Sequence, residues 1–119
     1  MMIHQLKSKQ EFFEATLAGK KAFELRLNDR DFQEGDFLAL NELLEIVDVD
    51  APGFVRTELS GRCCLVEVTH VLKQHDGLPP NWCCMSVRKA GIYKEDNYDR
   101  RRISELYAVP VYGRNEKER

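Results

Sequence analysis

Residues 62–73 contain the clearest β-strand pattern in the chain, and this pattern limits the possible folds more than any other stretch. One alternating set consists of Cys64, Val66, Val68, His70 and Leu72, and the other of Cys63, Leu65, Glu67, Thr69 and Val71. Successive side chains of a strand point to opposite faces, and both sets here are rich in β-branched or apolar residues. A strand that is apolar on both faces fits the middle of a sheet, so we expect a mainly β protein.

A second alternating segment begins at Ala22. Its apolar residues are Phe23, Leu25 and Leu27, and its polar residues are Glu24, Arg26 and Asn28. The period of two predicts a strand with its apolar face buried and its polar face open to solvent. Glu24 and Arg26 would then lie about 7 Å apart along the strand, with Lys21 just before them.

The charged residues Lys21, Glu24 and Arg26 are the first candidates for a functional site. Exposed ion pairs stabilise a protein by only ~0.2–1 kcal/mol, so stability alone is a weak reason for such a dense cluster. The functional interpretation is a cleft in which the lysine and the arginine hold a phosphate or carbonyl oxygen and the glutamate accepts a proton from a base or sugar. The alternative is a structural ladder of ion pairs on one face of the sheet.

A helix is predicted between the first strand, at residues 2–7, and Gly19. Ser8-x-x-Glu11 matches a capping box, and an apolar stripe follows it. Gly19 is expected to end the helix in a left-handed cap. The helix would therefore deliver Lys21 close to the strand that contains Glu24 and Arg26.

Further strands are predicted at residues 54–58 and 82–89, with a tight turn at Ser60-Gly61. The continuous apolar run at residues 37–47 fits either a helix or a strand by periodicity alone. Met85 and Val87 are expected to point inward from the last of these strands. The pattern changes after Ala90, where tyrosines stand among charged residues. We therefore expect one domain at residues 1–89 and a C-terminal extension at residues 90–119, a partly ordered arm with a frayed end.

The spacing Gly19-x-Lys21-x-x-Glu24-x-Arg26 resembles the signature of ASCH domains, which belong to the PUA-like superfamily of small β-barrels. Other segments stand in the order of one short bacterial and phage branch of unknown function: His4-x-Leu6-Lys7, Lys21 to Asp36, Ser60-Gly61-Arg62 and Glu67-Val68-Thr69. The resemblance covers roughly residues 1–89. It implies an α+β, mainly β fold, a small closed β-barrel with one N-terminal helix and a C-terminal arm. It also implies that residues 37–47, which follow Gly35-Asp36, form a long strand of that barrel.

The same resemblance implies two activities at this segment. One is binding of RNA or a modified nucleotide in a cleft. The other is hydrolysis of the amide of N-acylated cytidine nucleosides, for which related ASCH proteins use a lysine, a threonine and a glutamate. Lys21 matches that lysine, Glu24 stands in place of the threonine, and the short loop at residues 74–77 replaces the region of the glutamate. As an enzyme, the protein would use Lys21 and Glu24. A third hypothesis is a phage or mobile-element accessory protein that docks on a protein partner through its arm.

Two further arginines are candidates for ligand binding. Arg30 lies in Asn28-Asp29-Arg30-Asp31, which we interpret as a turn that sends Arg30 into the cleft, in preference to a metal-binding corner. Arg62 forms, with Arg56 and Lys7, either a basic rim of the barrel mouth or ordinary solvated surface.

Composition restricts the kind of partner. The chain has 119 residues and a formal net charge of −2, so any contact with nucleic acid has to be local. No apolar stretch approaches the roughly 20 residues of a membrane span, and the N-terminus lacks a signal pattern. We therefore expect a cytoplasmic protein with no membrane partner.

The four cysteines form two vicinal pairs, Cys63-Cys64 and Cys83-Cys84. Neither pair has the Cys-x-x-Cys spacing typical of zinc sites, and we predict no metal and no cofactor. Free thiols are the favoured interpretation, with one sulfur of each pair in the core and one outward. A cross-strand disulfide or a metal site is the alternative.

Overall fold

The described part of the chain folds into five strands and one short helix. The computed structural model describes residues 1–47, 49–51 and 53–93. The elements are β1 (Ile3–Lys9), α1 (Gln10–Leu17), β2 (Phe23–Leu27), β3 (Phe37–Val47), β4 (Val55–Lys73) and β5 (Trp82–Tyr93). β5 continues past residue 89, where the domain boundary was predicted, and the predicted arm beyond Tyr93 lies outside the described residues.

All five strands form one mixed sheet in the order β1-β3-β4-β5-β2. β1 pairs in parallel with β3, and the other neighbours are antiparallel. The mainly β fold class is confirmed, but the sheet is not closed into a barrel. β1 and β2 are its two edge strands, and arginine side chains lie between them where a closing ladder of backbone hydrogen bonds would run.

β4 is one continuous strand, whereas a short strand and a turn at Ser60-Gly61 were predicted before residue 62. The prediction of a turn is wrong because Gly61 lies in a bulge. The pairing of β3 with β4 shifts register between Asn41 and Leu43, which pair with Cys63 and Leu59. Gly61 has φ +93°, a backbone conformation that glycine adopts without strain. The bulge bends the strand but does not end it.

The two ends of α1 differ in how well they were predicted. The prediction of a capping box is wrong, because Ser8 lies inside β1, which stays paired with β3 up to Lys9. The helix begins at Gln10 with no side-chain cap. Its end is as predicted: Gly19 has φ +76°, and its N–H bonds Thr16 O at 3.1 Å. Lys20 N–H bonds Ala15 O at 2.9 Å, which completes a Schellman motif.

The core lies between α1 and one face of the sheet. Met85 and Val87 point into it, as predicted. The buried cluster consists of Leu6, Phe13, Phe32, Leu38, Leu40, Cys64, Val66, Val68, Cys83, Met85 and Val87. Each of these side chains contributes roughly 1.5–3 kcal/mol by leaving water.

Within the described residues, none of the four cysteines forms a disulfide. Cys83 is buried and Cys84 is half-buried, which agrees with the expected alternation, whereas Cys63 and Cys64 are both fully buried. The expectation failed for the first pair because both faces of β4 are covered there. Burial raises the pKa of the Cys64 thiol to about 11, so this sulfur is a packing group with little thiolate at neutral pH.

A buried histidine-carboxylate pair joins β1 to the turn before β3. His4 Nε2 lies 2.9 Å from Asp36 Oδ2, and the ring packs edge-on against Phe32 with centroids 4.8 Å apart. Asp36 also accepts hydrogen bonds from the backbone N–H groups of Met2 and Gln33. Burial lowers the pKa of His4, an effect only partly opposed by Asp36.

We expect the free energy of unfolding to decrease as the pH falls below about 6.5, the ordinary pKa of an unfolded histidine. Below that pH the unfolded chain binds a proton that folded His4 does not take up, so protonation favours unfolding. Thermal unfolding of the wild type and of His4→Gln between pH 8 and pH 5 measures the effect. Glutamine can still donate to Asp36 but does not titrate, so the variant should show a flatter dependence. His70→Gln, at an exposed histidine, is the control; equal slopes in the wild type and His4→Gln would contradict the expectation.

Candidate functional site

A cleft of about 800 Å³ opens between the edge strands β1 and β2. Its size is within the range of small-molecule binding sites. The lining residues are Leu6, Lys7, Ser8, Lys9, Phe12, Lys20, Lys21, Phe23, Glu24, Leu25, Arg26, Leu27, Arg30, Phe32, Leu43 and Trp82. Four of the five predicted ligand-binding residues are among them: Lys21, Glu24, Arg26 and Arg30. Arg62 is not.

The face of β2 that points to the protein interior is the opposite of the one predicted. Phe23 and Leu25 are each 48% exposed, whereas Glu24 is 2% exposed. The expectation that the apolar face is buried was therefore wrong. A period of two shows that the two faces differ, but it does not show which one faces the core. Burial of Glu24 is tolerated because two cations compensate its charge.

Glu24 is held at both carboxylate oxygens. Oε2 accepts from Lys21 Nζ, and Oε1 accepts from Arg26 Nε at 2.9 Å. Lys21 Nζ also donates to Phe23 O at 2.7 Å and lies 5.0 Å from the centre of the Phe23 ring. The two cationic side chains remain partly exposed, at 15% for Lys21 and 27% for Arg26. The predicted trio is thus both an ion-pair cluster and part of the cleft wall.

Two arginines connect the β2 side of the cleft to the free edge of β1. Arg26 Nη2 donates to Lys7 O at 2.9 Å, and Arg30 Nη1 donates to Gln5 O at 2.8 Å. Met2 O bonds Phe37 N–H on β3, so the carbonyls of the odd-numbered residues of β1 point away from β3. Guanidinium groups therefore satisfy the edge carbonyls that a neighbouring strand would otherwise bond.

Arg30 reaches the cleft from a turn. Asn28 Oδ1 accepts from Phe32 N–H at 3.1 Å, and Asp31 has φ +51°. The side-chain oxygen of an asparagine that bonds a following backbone N–H stabilises such a turn.

The cleft wall is strongly cationic. Of the residues that the structure describes, six basic ones line it, Lys7, Lys9, Lys20, Lys21, Arg26 and Arg30, and Glu24 is the only acidic one that does so. The whole chain, by contrast, has a net charge of −2. Positive charge is therefore concentrated at this one concave site, where the surrounding protein of low dielectric constant strengthens its field.

Aromatic side chains stand beside these cations. Phe12 is 46% exposed, Phe23 is 48% exposed, and Trp82 is half-buried at the same cleft. Sequence reasoning did not include Phe12 or Trp82 among the candidate site residues. It also missed Lys9, although Lys7 and Lys9 are two residues apart in a strand, a spacing that places both on one face.

Arg62 lies outside the cleft, in a second ion cluster. Its Nε donates to Glu42 Oε1 at 2.9 Å and its Nη2 to Glu42 Oε2 at 2.8 Å, while Glu14 also accepts from Nη2. These carboxylates raise the pKa of Arg62 still further, and the guanidinium lies 5.0 Å from the Phe13 ring centre. Arg56 pairs with Glu58 on the surface. The structure therefore does not assemble the basic rim of Arg56, Arg62 and Lys7.

Within residues 1–47, 49–51 and 53–93, no group of three or more histidine, cysteine or acidic side chains could hold a metal ion. The one helix in that part of the chain is too short and too polar to cross a membrane.

Comparison with known protein families identifies the family of this chain. No curated protein matches the chain. The model of a family described as a domain of unknown function, DUF3850, matches residues 3–87. This range contains both edge strands and every residue of the cleft. The chain therefore belongs to the DUF3850 family.

Proposed function

We propose that this protein binds RNA or a modified nucleotide in the cleft between β1 and β2. The observation that supports this proposal most is the composition of the cleft wall, with six cations, one carboxylate and exposed aromatic rings. Phosphate groups are attracted by lysine and arginine, and bases stack on aromatic side chains. We further propose, from the Gly19-x-Lys21-x-x-Glu24-x-Arg26 spacing, that the sheet is an open variant of a PUA-like ASCH domain working in the cytoplasm.

The net charge of the chain favours a small ligand or a single strand over a duplex. A duplex is bound mainly through many phosphates on a broad basic surface. Here the cations line one cleft of a protein that is acidic overall. A single strand or a nucleotide can bring both phosphate and base into such a cleft.

We propose binding and not amide hydrolysis, although Lys21 and Glu24 are the residues that the hydrolytic alternative would use. Lys21 Nζ donates to Glu24 and to Phe23 O, and the other oxygen of Glu24 accepts from Arg26. A general base needs a lone pair within reach of the substrate. Glu24 is almost fully buried and both of its oxygens already accept hydrogen bonds.

Fluorescence anisotropy with a short labelled oligouridine and with a labelled mononucleotide tests the proposal. Lys21→Ala and Arg26→Ala should each weaken binding roughly tenfold or more, since hydrogen bonds to charged groups contribute about 1.5–3 kcal/mol. Each loss of a phosphate contact should also reduce the slope of log affinity against log salt by about 1. The two probes distinguish a single-strand site from a nucleotide site.

The matched control is Arg88→Ala. Arg88 is 69% exposed, pairs with Glu67 and does not line the cleft, so its loss removes the same charge elsewhere. Unchanged affinity in both cleft variants, or an equal loss in Arg88→Ala, would refute the proposed site. Release of cytidine from N-acetylcytidine by the wild type but not by Lys21→Ala would establish the hydrolytic alternative instead.

Phe23→Ala tests the aromatic part of the site separately. Removing a stacked ring costs about 1–3 kcal/mol per base, so affinity for the oligouridine should fall by roughly fivefold to more than a hundredfold. The salt dependence should stay the same, because no charge is removed. Leu72→Ala, at another apolar side chain of the sheet surface that is 40% exposed and outside the cleft, is the control. Equal affinities in the wild type and Phe23→Ala would exclude stacking on this ring.

A further inference from the structure

We infer that Glu24 is a positioning residue of this cleft, which acts on the ligand through Lys21 and Arg26 and does not touch the ligand itself. The inference rests on the proposed function and replaces the role as a ligand acceptor expected from the sequence. Glu24 is 2% exposed, and its oxygens accept from Lys21 Nζ and Arg26 Nε. A ligand would have to displace one of these cations in order to reach the carboxylate.

The geometry explains why a buried anion helps a cleft that attracts anions. Lysine and arginine lose about 2 kcal/mol of rotamer entropy when they are fixed, and this cost weakens binding if the ligand has to fix them. Glu24 fixes both before a ligand arrives. Arg26 is held at Nε by Glu24 and at Nη2 by Lys7 O, so the plane of its guanidinium is set by two elements. Two of the five N–H groups of Arg26 make these bonds.

Electrostatics and positioning lead to opposite expectations for Glu24→Gln. The substitution removes the one acidic group that the described part of the chain contributes to the cleft wall, and it makes the cleft more positive. If charge alone controls affinity, an anionic ligand should bind more tightly. If Glu24 positions the two cations, the ligand should bind more weakly, because a neutral amide cannot accept from both cations as a carboxylate does.

The experiment compares Glu24→Gln with the wild type in the oligouridine titration. We expect roughly tenfold weaker binding and a smaller salt slope, despite the added positive charge. Glu24→Asp, which keeps the charge on a shorter side chain, should retain more affinity than Glu24→Gln. In the Lys21→Ala/Arg26→Ala background, Glu24→Gln should cause no further loss, because the groups that it positions are gone.

Glu42→Gln is the matched control for loss of stability. Glu42 is 1% exposed and is also paired with an arginine, Arg62, outside the cleft. It should lower the melting temperature without weakening RNA binding. A second readout, independent of any ligand, is the NMR signal of Arg26 Nε–H, which should exchange slowly with solvent in the wild type and fast in Glu24→Gln.

The outcomes separate the inference from the proposed function. Wild-type protein that does not bind either probe refutes the proposed function and the inference with it. Wild-type binding together with equal or tighter binding by folded Glu24→Gln overturns the inference and leaves the proposed function standing. Weaker binding with a reduced salt slope, absent in Glu42→Gln, supports both.

Discussion

Arg62→Met should lower the free energy of unfolding by about 3–5 kcal/mol, because it leaves a buried carboxylate without its cation. Glu42 is 1% exposed and accepts two hydrogen bonds from Arg62. After the substitution, Ser60 Oγ, at 2.6 Å, is the remaining side-chain donor to Glu42. Urea unfolding followed by circular dichroism at pH 7 measures the loss.

Repeating the urea unfolding at acid pH identifies the cause of the lost stability. Arg62 lowers the pKa of Glu42, so its stabilising effect is present above about pH 4.3, the ordinary pKa of glutamate, and is lost as the pH falls further. The difference between wild type and Arg62→Met should therefore shrink in acid. The double variant Arg62→Met/Glu42→Leu should recover much of the loss, since an apolar pair can replace a buried ion pair. A single-variant loss below about 1 kcal/mol, typical of exposed ion pairs, would contradict the expectation.

Phe13→Ala should have an effect of similar size, about 3–5 kcal/mol, through a cavity in the core. Phe13 is fully buried where α1 packs on the sheet. Its neighbour Phe12 is 46% exposed in the same helix, so Phe12→Ala is a control of identical chemistry and should cost far less. Urea unfolding of the two variants measures the difference. Similar losses of unfolding free energy would show that Phe13 does not hold α1 on the sheet.

The two substitutions should not be additive. The Arg62 guanidinium lies 5.0 Å from the Phe13 ring centre, so each variant also removes part of the environment of the other. Contacting residues commonly show interaction energies of about 0.5–3 kcal/mol in a double-mutant cycle. A cycle on Phe13 and Arg62 therefore measures how strongly the helix is coupled to the ion cluster.

The parts of the fold that were predicted correctly depend on local signals. The alternation in residues 62–73 predicted a strand, and Gly19 predicted the end of the helix, because periodicity and a left-handed φ act over a few residues. The same holds for Met85 and Val87, whose inward direction follows from alternation within β5.

The parts that were missed depend on partners far away in the chain. Ser8 matched a capping box, but pairing of β1 with β3 took precedence over the local signal. The position of Arg62 is decided by Glu14 and Glu42, which are distant in sequence. The reversed face of β2 follows from compensation of Glu24 by two cations, and a hydrophobicity pattern does not contain that information.

Lys21, Glu24, Arg26 and Arg30 were all correctly predicted to meet at one place, because the density of charge at residues 19–31 is itself unusual. Their individual roles were harder to predict. The backbone carbonyls that accept hydrogen bonds from Arg26 and Arg30 belong to β1. These roles could not be predicted because the sequence does not show which strand lies at an open edge of the sheet.

The arginines that cover the edge of β1 have a consequence for self-association. An open strand edge is a template on which another chain can add a strand and begin to aggregate. Arg26 and Arg30 occupy the carbonyls of Lys7 and Gln5 and place positive charge along that edge. Two of the six side chains that give the cleft its charge therefore also help to keep neighbouring molecules apart in a crowded solution.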